Sequence, residues 1–119
     1  MPKYGNVTMP CLYRTYNQCE MQLAMALEEE SVTKELCLQY LALSDEMIRV
    51  HNFKNILARA AARHRLAFFY ISEGDSAKGK QTLRELLLEL NEATEQYGHN
   101  EDWDEYIKGV SAVLNNYGE

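Results

Sequence analysis

Proline is almost missing from this chain. There are two in 119 residues, Pro2 and Pro10. Proline lacks a backbone donor and clashes with the preceding helical turn, so nothing after Pro10 bars a helix on backbone grounds. Cysteine is scarce and odd in number. Cys11, Cys19 and Cys37 show no C-x-x-C spacing, which argues against a disulfide framework or a zinc knuckle and for a reducing, cytoplasmic compartment. No apolar run reaches the length of a membrane span. The opening MPKYGNVTMP lacks the apolar stretch of a secretory signal, and without export the NVT at Asn6 is a chance match to a glycosylation acceptor.

What is present is helical periodicity. Hydrophobic residues make up 46% and charged residues 25% of the chain, the balance of an ordinary globular protein. The length fits one helical domain over 1–119, with 1–8 as a flexible N-terminal segment, and is enough to bury a core. Leu12, Tyr16, Cys19, Leu23 and Ala26 recur at three- and four-residue steps and mark a first helix. Ser31 or Thr33 can cap a second, with Glu35 in its first turn. There Leu36, Tyr40, Leu43, Met47 and Val50 form a 4-3-4-3 stripe. A single helix over 32–73 would be roughly 60 Å long at about 1.5 Å per residue, so a break is expected at His51-Asn52, with Asn52 capping a third helix over 53–73. Gly74 stops that helix and Asp75 caps the fourth, whose stripe is Gly79, Leu83, Leu86, Leu90, Ala93 and Tyr97. Gly98 is the next stop. Asn100 caps a fifth helix with Glu101, Asp102 and Asp104 at its positive end and a stripe of Trp103, Ile107, Val110, Leu114 and Tyr117. The predicted fold is all-α: about five antiparallel helices in a stack or bundle.

The third helix is apolar on two sides. Phe53, Ile56, Ala60, His64, Ala67 and Ile71 share one face at 100° per residue; Ala58, Ala62 and Phe69 share the opposite one. Such a helix is buried between neighbours. Its basic residues fall on two flanks, Arg59 and Arg63 on one, Lys54 and Arg65 on the other. Residues 47–66 hold Arg49 and these four and no acid, in a chain of net charge −6. Two readings of this asymmetry compete. The arginines contact nucleic acid or an acidic or phosphorylated partner, or they pair with acidic faces of adjoining helices. The split across two flanks favours pairing, and the overall acidity opposes approach to phosphates.

The segment LAFFYISEGDSAKGKQTLRELLLEL (66–90) resembles a tetratricopeptide repeat within about 53–90. Leu66, Ala67 and Tyr70 match first-helix positions of that family, Gly74-Asp75 the turn, Gly79 the small residue where the helices cross closely, and Leu83 the large apolar one. Arg63 stands where the family often has Trp, Leu86 replaces a usual Ala, and no proline follows the second helix. An offset of 43 aligns Leu23 with Leu66, Ala24 with Ala67 and Tyr40 with Leu83, so the first two helices can form an equivalent hairpin with the fifth as a cap. The resemblance implies a TPR-like stack that acts as a protein-interaction scaffold with no chemistry of its own.

Chemical motifs are sparse. His51, His64 and His99 belong to no H-E-x-x-H or Glu-x-x-His pattern. His64, on an apolar face, reads as a core or interface histidine. The cysteines read as small buried hydrophobes. GDSAKGK lacks the spacing of a phosphate loop, and the acidic clusters at 28–30 and 101–105 read as solvated faces. No catalytic residue, cofactor or metal site is expected. Tyrosine is abundant, with eight copies, and Tyr13 and Tyr106 lie off their stripes, where an aromatic with a polar tip suits an interface. The sequence therefore predicts a small non-enzymatic adaptor, acting on a protein partner or on a second copy of itself. Its candidate contacts are Arg59, Arg63, Arg65, Lys54, Tyr13 and Tyr106. A regulator contacting nucleic acid or a phosphorylated partner through Arg49–Arg65 ranks second.

Overall fold

The computed structural model describes the backbone of residues 4–116 and the side chains of 11–116. The fold is all-α, with five helices: α1 (Tyr4–Glu29), α2 (Lys34–His51), α3 (Ile56–Ser72), α4 (Ser76–Tyr97) and α5 (Glu101–Asn116). No strand occurs among the described residues. α1 takes in residues 4–8, which the sequence assigns to a flexible segment; residues 1–3 and Tyr117 lie outside the described residues.

Local chemistry sets most helix ends. Thr33 is extended and its hydroxyl accepts from the Leu36 amide, which starts α2. The Asp75 carboxylate accepts from the Lys78 amide and starts α4. Asn100 accepts from the Asp102 amide at the head of α5. Gly74 and Gly98 both have φ near +90°, a region closed to most side chains, and they end α3 and α4. The break after His51 is present, but its parts are assigned differently from the expectation. Asn52 does not cap α3. It closes α2 in the left-handed region, at φ 53°, with its amide donating to the Ile48 carbonyl. Asn tolerates that conformation better than most residues. α3 starts at Ile56, three residues later than expected, because Asn55 Oδ1 accepts from the Ala58 amide.

The chain divides into two compact units, Met1–Ala62 and Arg63–Glu119, and the division falls within α3. In the first unit α1 packs on α2. Tyr16, Cys19, Leu23 and Ala26 are buried on α1 as the periodicity predicts. On α2 the buried residues are Cys37, Tyr40, Ser44 and Met47. The expected stripe is therefore rotated: Leu36 and Leu43 are half-buried and Val50 is exposed. The cause is polar. Ser44 is fully buried because Arg59 donates to its hydroxyl at 2.9 Å, a pairing that hydrophobic periodicity does not register. Along α3 the four consecutive residues Arg59, Ala60, Ala61 and Ala62 are all buried, which at 100° per residue covers the whole circumference.

In the second unit α4 packs on α5. Gly79, Leu83, Leu86, Leu90 and Ala93 are buried on α4 and Trp103, Val110 and Leu114 on α5. Tyr97, the last residue of the α4 stripe, is exposed and meets Trp103 edge-on. At Gly79, α4 passes close to α3. A Cβ there would sit 2.5 Å from Ile71 Cγ1 and 2.9 Å from the Ala67 carbonyl oxygen.

Candidate functional site

The basic residues of 47–66 have unequal fates. Arg49 is bound by Glu46, its exposed neighbour one turn back, and that hydrogen bond holds the Glu46 carboxyl below its usual range. Arg59 is only 4% exposed and donates to Ser44 Oγ and, at 3.0 Å, to Asp45 Oδ1. Arg63 meets Glu89 of α4 at 2.6 Å, with both side chains largely buried. Arg59 and Arg63, two of the expected partner-binding residues, are thus engaged within the fold. Reversing either charge would therefore disturb packing and stability as well as any surface contact. Lys54 is exposed in the loop ahead of α3. Arg65 is half-buried and makes no ion pair with a described residue.

Arg65 lines an open groove with Phe68, Phe69 and Ser72, of about 220 Å³. All four lie on the second half of α3. The groove exists because Phe68 and Phe69 are adjacent: successive residues on a helix are 100° apart, and α3 cannot turn both inward. Phe68 is 36% exposed, and Phe69 is half-buried. The Ser72 hydroxyl donates to the Phe69 carbonyl at 2.9 Å, so towards the groove it offers only lone pairs. Arg65 is then the one charged group of the lining.

An aromatic cluster backs this groove. The His64 ring meets Phe68 edge-on at 5.0 Å and Tyr106 of α5 at 5.7 Å. Burial, with Arg65 nearby, holds the His64 imidazole below its ordinary value, which keeps it neutral. Tyr106 is pushed up by burial, while Arg65 draws it the other way. Two of the six expected contacts, Arg65 and Tyr106, are therefore neighbours electrostatically. Phe68, Phe69 and Ser72 are the lining residues that sequence reasoning missed. The visible signal was the doubled phenylalanine, one residue too many for one apolar face.

The first unit holds a polar centre that the sequence did not announce. Glu20 Oε2 accepts from Tyr16 Oη at 2.6 Å, Tyr40 Oη at 3.1 Å and Asn55 Nδ2 at 2.8 Å. The two hydroxyls also lie 2.9 Å apart. Burial, then the hydrogen bond to Glu20, pushes the Tyr16 hydroxyl up to about 12, and burial raises Tyr40 as well. Both phenols stay protonated and act as donors. Asn55 closes the set with both ends of its amide: Oδ1 caps α3 while Nδ2 reaches Glu20 on α1. Their chemistry is that of a polar clamp. Tyr13, 46% exposed, stacks on His51 at 4.3 Å. The Nε2 of that histidine is buried and has no hydrogen-bond partner among the described residues.

Among the described residues no three His, Cys, Asp or Glu side chains group closely enough to hold a metal ion. No described helix is long and apolar enough to cross a membrane. Comparison with protein-family models, with curated proteins and with solved structures returns no match for this chain.

Proposed function

We propose that this chain is a small non-enzymatic protein-interaction module of a reducing, cytoplasmic compartment, and that it works by surface complementarity of its helices. The observation that carries this reading is the groove of α3. Two phenylalanines stand partly in solvent beside an arginine that no described acid neutralises. Aromatics and arginine are the residue types that dominate the energetic centres of protein interfaces. The hairpin over 66–90, with its resemblance to a tetratricopeptide repeat, points the same way. The nucleic-acid reading has less support. Of five basic residues in 47–66, three are engaged by Glu46, Asp45 and Glu89, which leaves two cations for a polyanion in a chain of net charge −6.

The test is capture from lysate of the source cell at about 100 mM and about 500 mM salt, a range that takes the Debye length from about 10 Å to under half that. Wild type is compared with Phe68→Ala, and circular dichroism confirms that the variant is folded. A discrete protein retained at both salts by wild type and lost by Phe68→Ala supports the reading. Recovery of nucleic acid, or of nothing but a second copy of the chain at native size, refutes it as stated.

A further inference from the structure

The groove also indicates what kind of segment it takes. We propose that it binds a peptide segment carrying a carboxylate beside an aromatic side chain, with Arg65 holding the carboxylate and Phe68 and Phe69 the ring. This deepens the interaction reading and rests on it.

The argument is one of inventory. The lining consists of one guanidinium, two phenyl rings and one hydroxyl. That hydroxyl has spent its proton on the Phe69 carbonyl, so Arg65 is the one charge-bearing donor of the lining. A guanidinium presents a planar fork that fits a carboxylate by two parallel hydrogen bonds. A purely apolar occupant would cover Arg65 and leave its charge desolvated and unpaired, which is costly. A neutral polar occupant would meet too few donors. The rings set the second requirement. Phe68 is already held edge-on by His64, so its orientation is fixed and its exposed part offers a preset apolar wall for another ring. The volume of about 220 Å³ is the size of one or two side chains, below the usual range for small-molecule pockets. A short peptide contact fits it, whereas a cofactor does not. Long-range attraction plays little part, since the chain is acidic overall. Recognition has to come from contact.

The experiment is a titration of the full-length chain, followed by amide NMR, with N-acetylphenylalanine, its uncharged amide, and phenyl phosphate as probes. The acid is expected to shift the amides of 65–72 and to bind about tenfold more tightly than the amide, the increment of one charge-assisted hydrogen bond. Arg65→Gln should erase that difference while leaving the amide's weak binding intact. Phe68→Ala should weaken both. Equal binding of acid and amide, or shifts that avoid 65–72, would overturn the proposal. Tighter binding of phenyl phosphate would also overturn it and assign the groove to a phosphorylated partner. Lysate capture with wild type and Arg65→Gln keeps the two readings apart. A partner held equally by both chains preserves the interaction module and removes the carboxylate anchor. Specific binding of N-acetylphenylalanine with no captured protein preserves the anchor and removes the module.

Discussion

Replacing Asn55 by Asp tests the polar centre of the first unit most directly. The change is nearly isosteric. Asp retains the oxygen that caps α3 at the Ala58 amide, now 3.2 Å away, and Asp and Asn cap about equally well. What changes is the other end. An amide donor 2.8 Å from Glu20 Oε2 becomes a second carboxylate oxygen. The lost charge-assisted bond is worth about 1.5–3 kcal/mol. Two like charges at that separation repel by about 1.5 kcal/mol in water and about 6 kcal/mol at an effective dielectric of 20. Glu20 is half-buried and the new side chain can swing partly away, so a total near 3 kcal/mol is expected. Asn55→Ser, which keeps a cap and loses the reach to Glu20, should cost only about 1–2 kcal/mol. The decisive variant is the double one, Asn55→Asp with Glu20→Gln. An amide nitrogen at the Oε2 position can donate to the new carboxylate and to a tyrosine oxygen, which reverses the polarity of the contact without emptying it. It should recover about 2 kcal/mol relative to Asn55→Asp alone. Urea unfolding followed by circular dichroism gives all four corners of the cycle at constant slope. Simple additivity of the two single changes would mean that the contact between Asn55 and Glu20 carries no energy, and the clamp reading would fail.

Two glycines should respond with opposite sign. Gly79→Ala should destabilise by about 1–2 kcal/mol, because overpacking against the Ala67 carbonyl and Ile71 outweighs the helix-propensity gain of about 1 kcal/mol. Gly109→Ala, with nothing within 4 Å of the new methyl, should stabilise by up to about 1 kcal/mol, and equal shifts in denaturant midpoint would contradict the helix crossing. His64 is held below its ordinary value of 6.5 by burial. The unfolded chain therefore binds its proton first, and stability is lost as pH falls from about 6.5 towards the folded value. His64→Phe should flatten that part of the profile between pH 7.5 and 5.5 in paired urea titrations, and an unchanged slope would exclude His64 as its source. Tyr16 titrates near 12 in the fold, above its unfolded value of about 10. Its contribution is complete below pH 10 and fades as pH rises through 12, so ultraviolet titration should show a late-ionising class that shrinks in Tyr16→Phe.

The helix ends were legible because their causes are local. Thr33, Gly74, Asp75, Gly98 and Asn100 each act within four residues of themselves, and a reader of the sequence sees all the atoms involved. The stretch HNFKN was only half legible. It offers two asparagines, and which one ends α2 and which one starts α3 is decided in part by Glu20, thirty-five positions away from Asn55. The same limit explains the rotated face of α2. Leu36 and Leu43 outrank Cys37 and Ser44 in hydrophobicity, and only the arrival of Arg59 makes Ser44 a core residue. The candidate site followed the same rule. The helical wheel separated Arg59 and Arg63 from Lys54 and Arg65, but the acids that claim Arg63 and Arg59, Glu89 and Asp45, lie twenty-six and fourteen positions away. The groove depends on a hydroxyl and two rings whose orientation no periodicity encodes.

The arginines of α3 then follow from its alanines. A helix with Ala58, Ala60, Ala61, Ala62 and Ala67 lets other chain segments approach closely but fills little volume itself. Long side chains at its margins make up the deficit, and arginine does so with an apolar stem and a head that needs a partner. Arg59 supplies this on one half of the helix and meets Ser44 and Asp45 of α2. Arg63, one turn on, supplies it on the other half and meets Glu89 of α4. Arg65 is two residues further and about 200° round the helix, away from both. It carries no ion pair to a described residue. Arg65→Gln should therefore cost less than about 0.5 kcal/mol, the usual limit for a substitution away from the packing, while Arg63→Gln, which removes a charge-assisted hydrogen bond between largely buried side chains, should cost about 1.5–3 kcal/mol. A large loss in both would make Arg65 structural and close the groove as a recognition site. A loss confined to Arg63 leaves Arg65 free to be judged on binding alone.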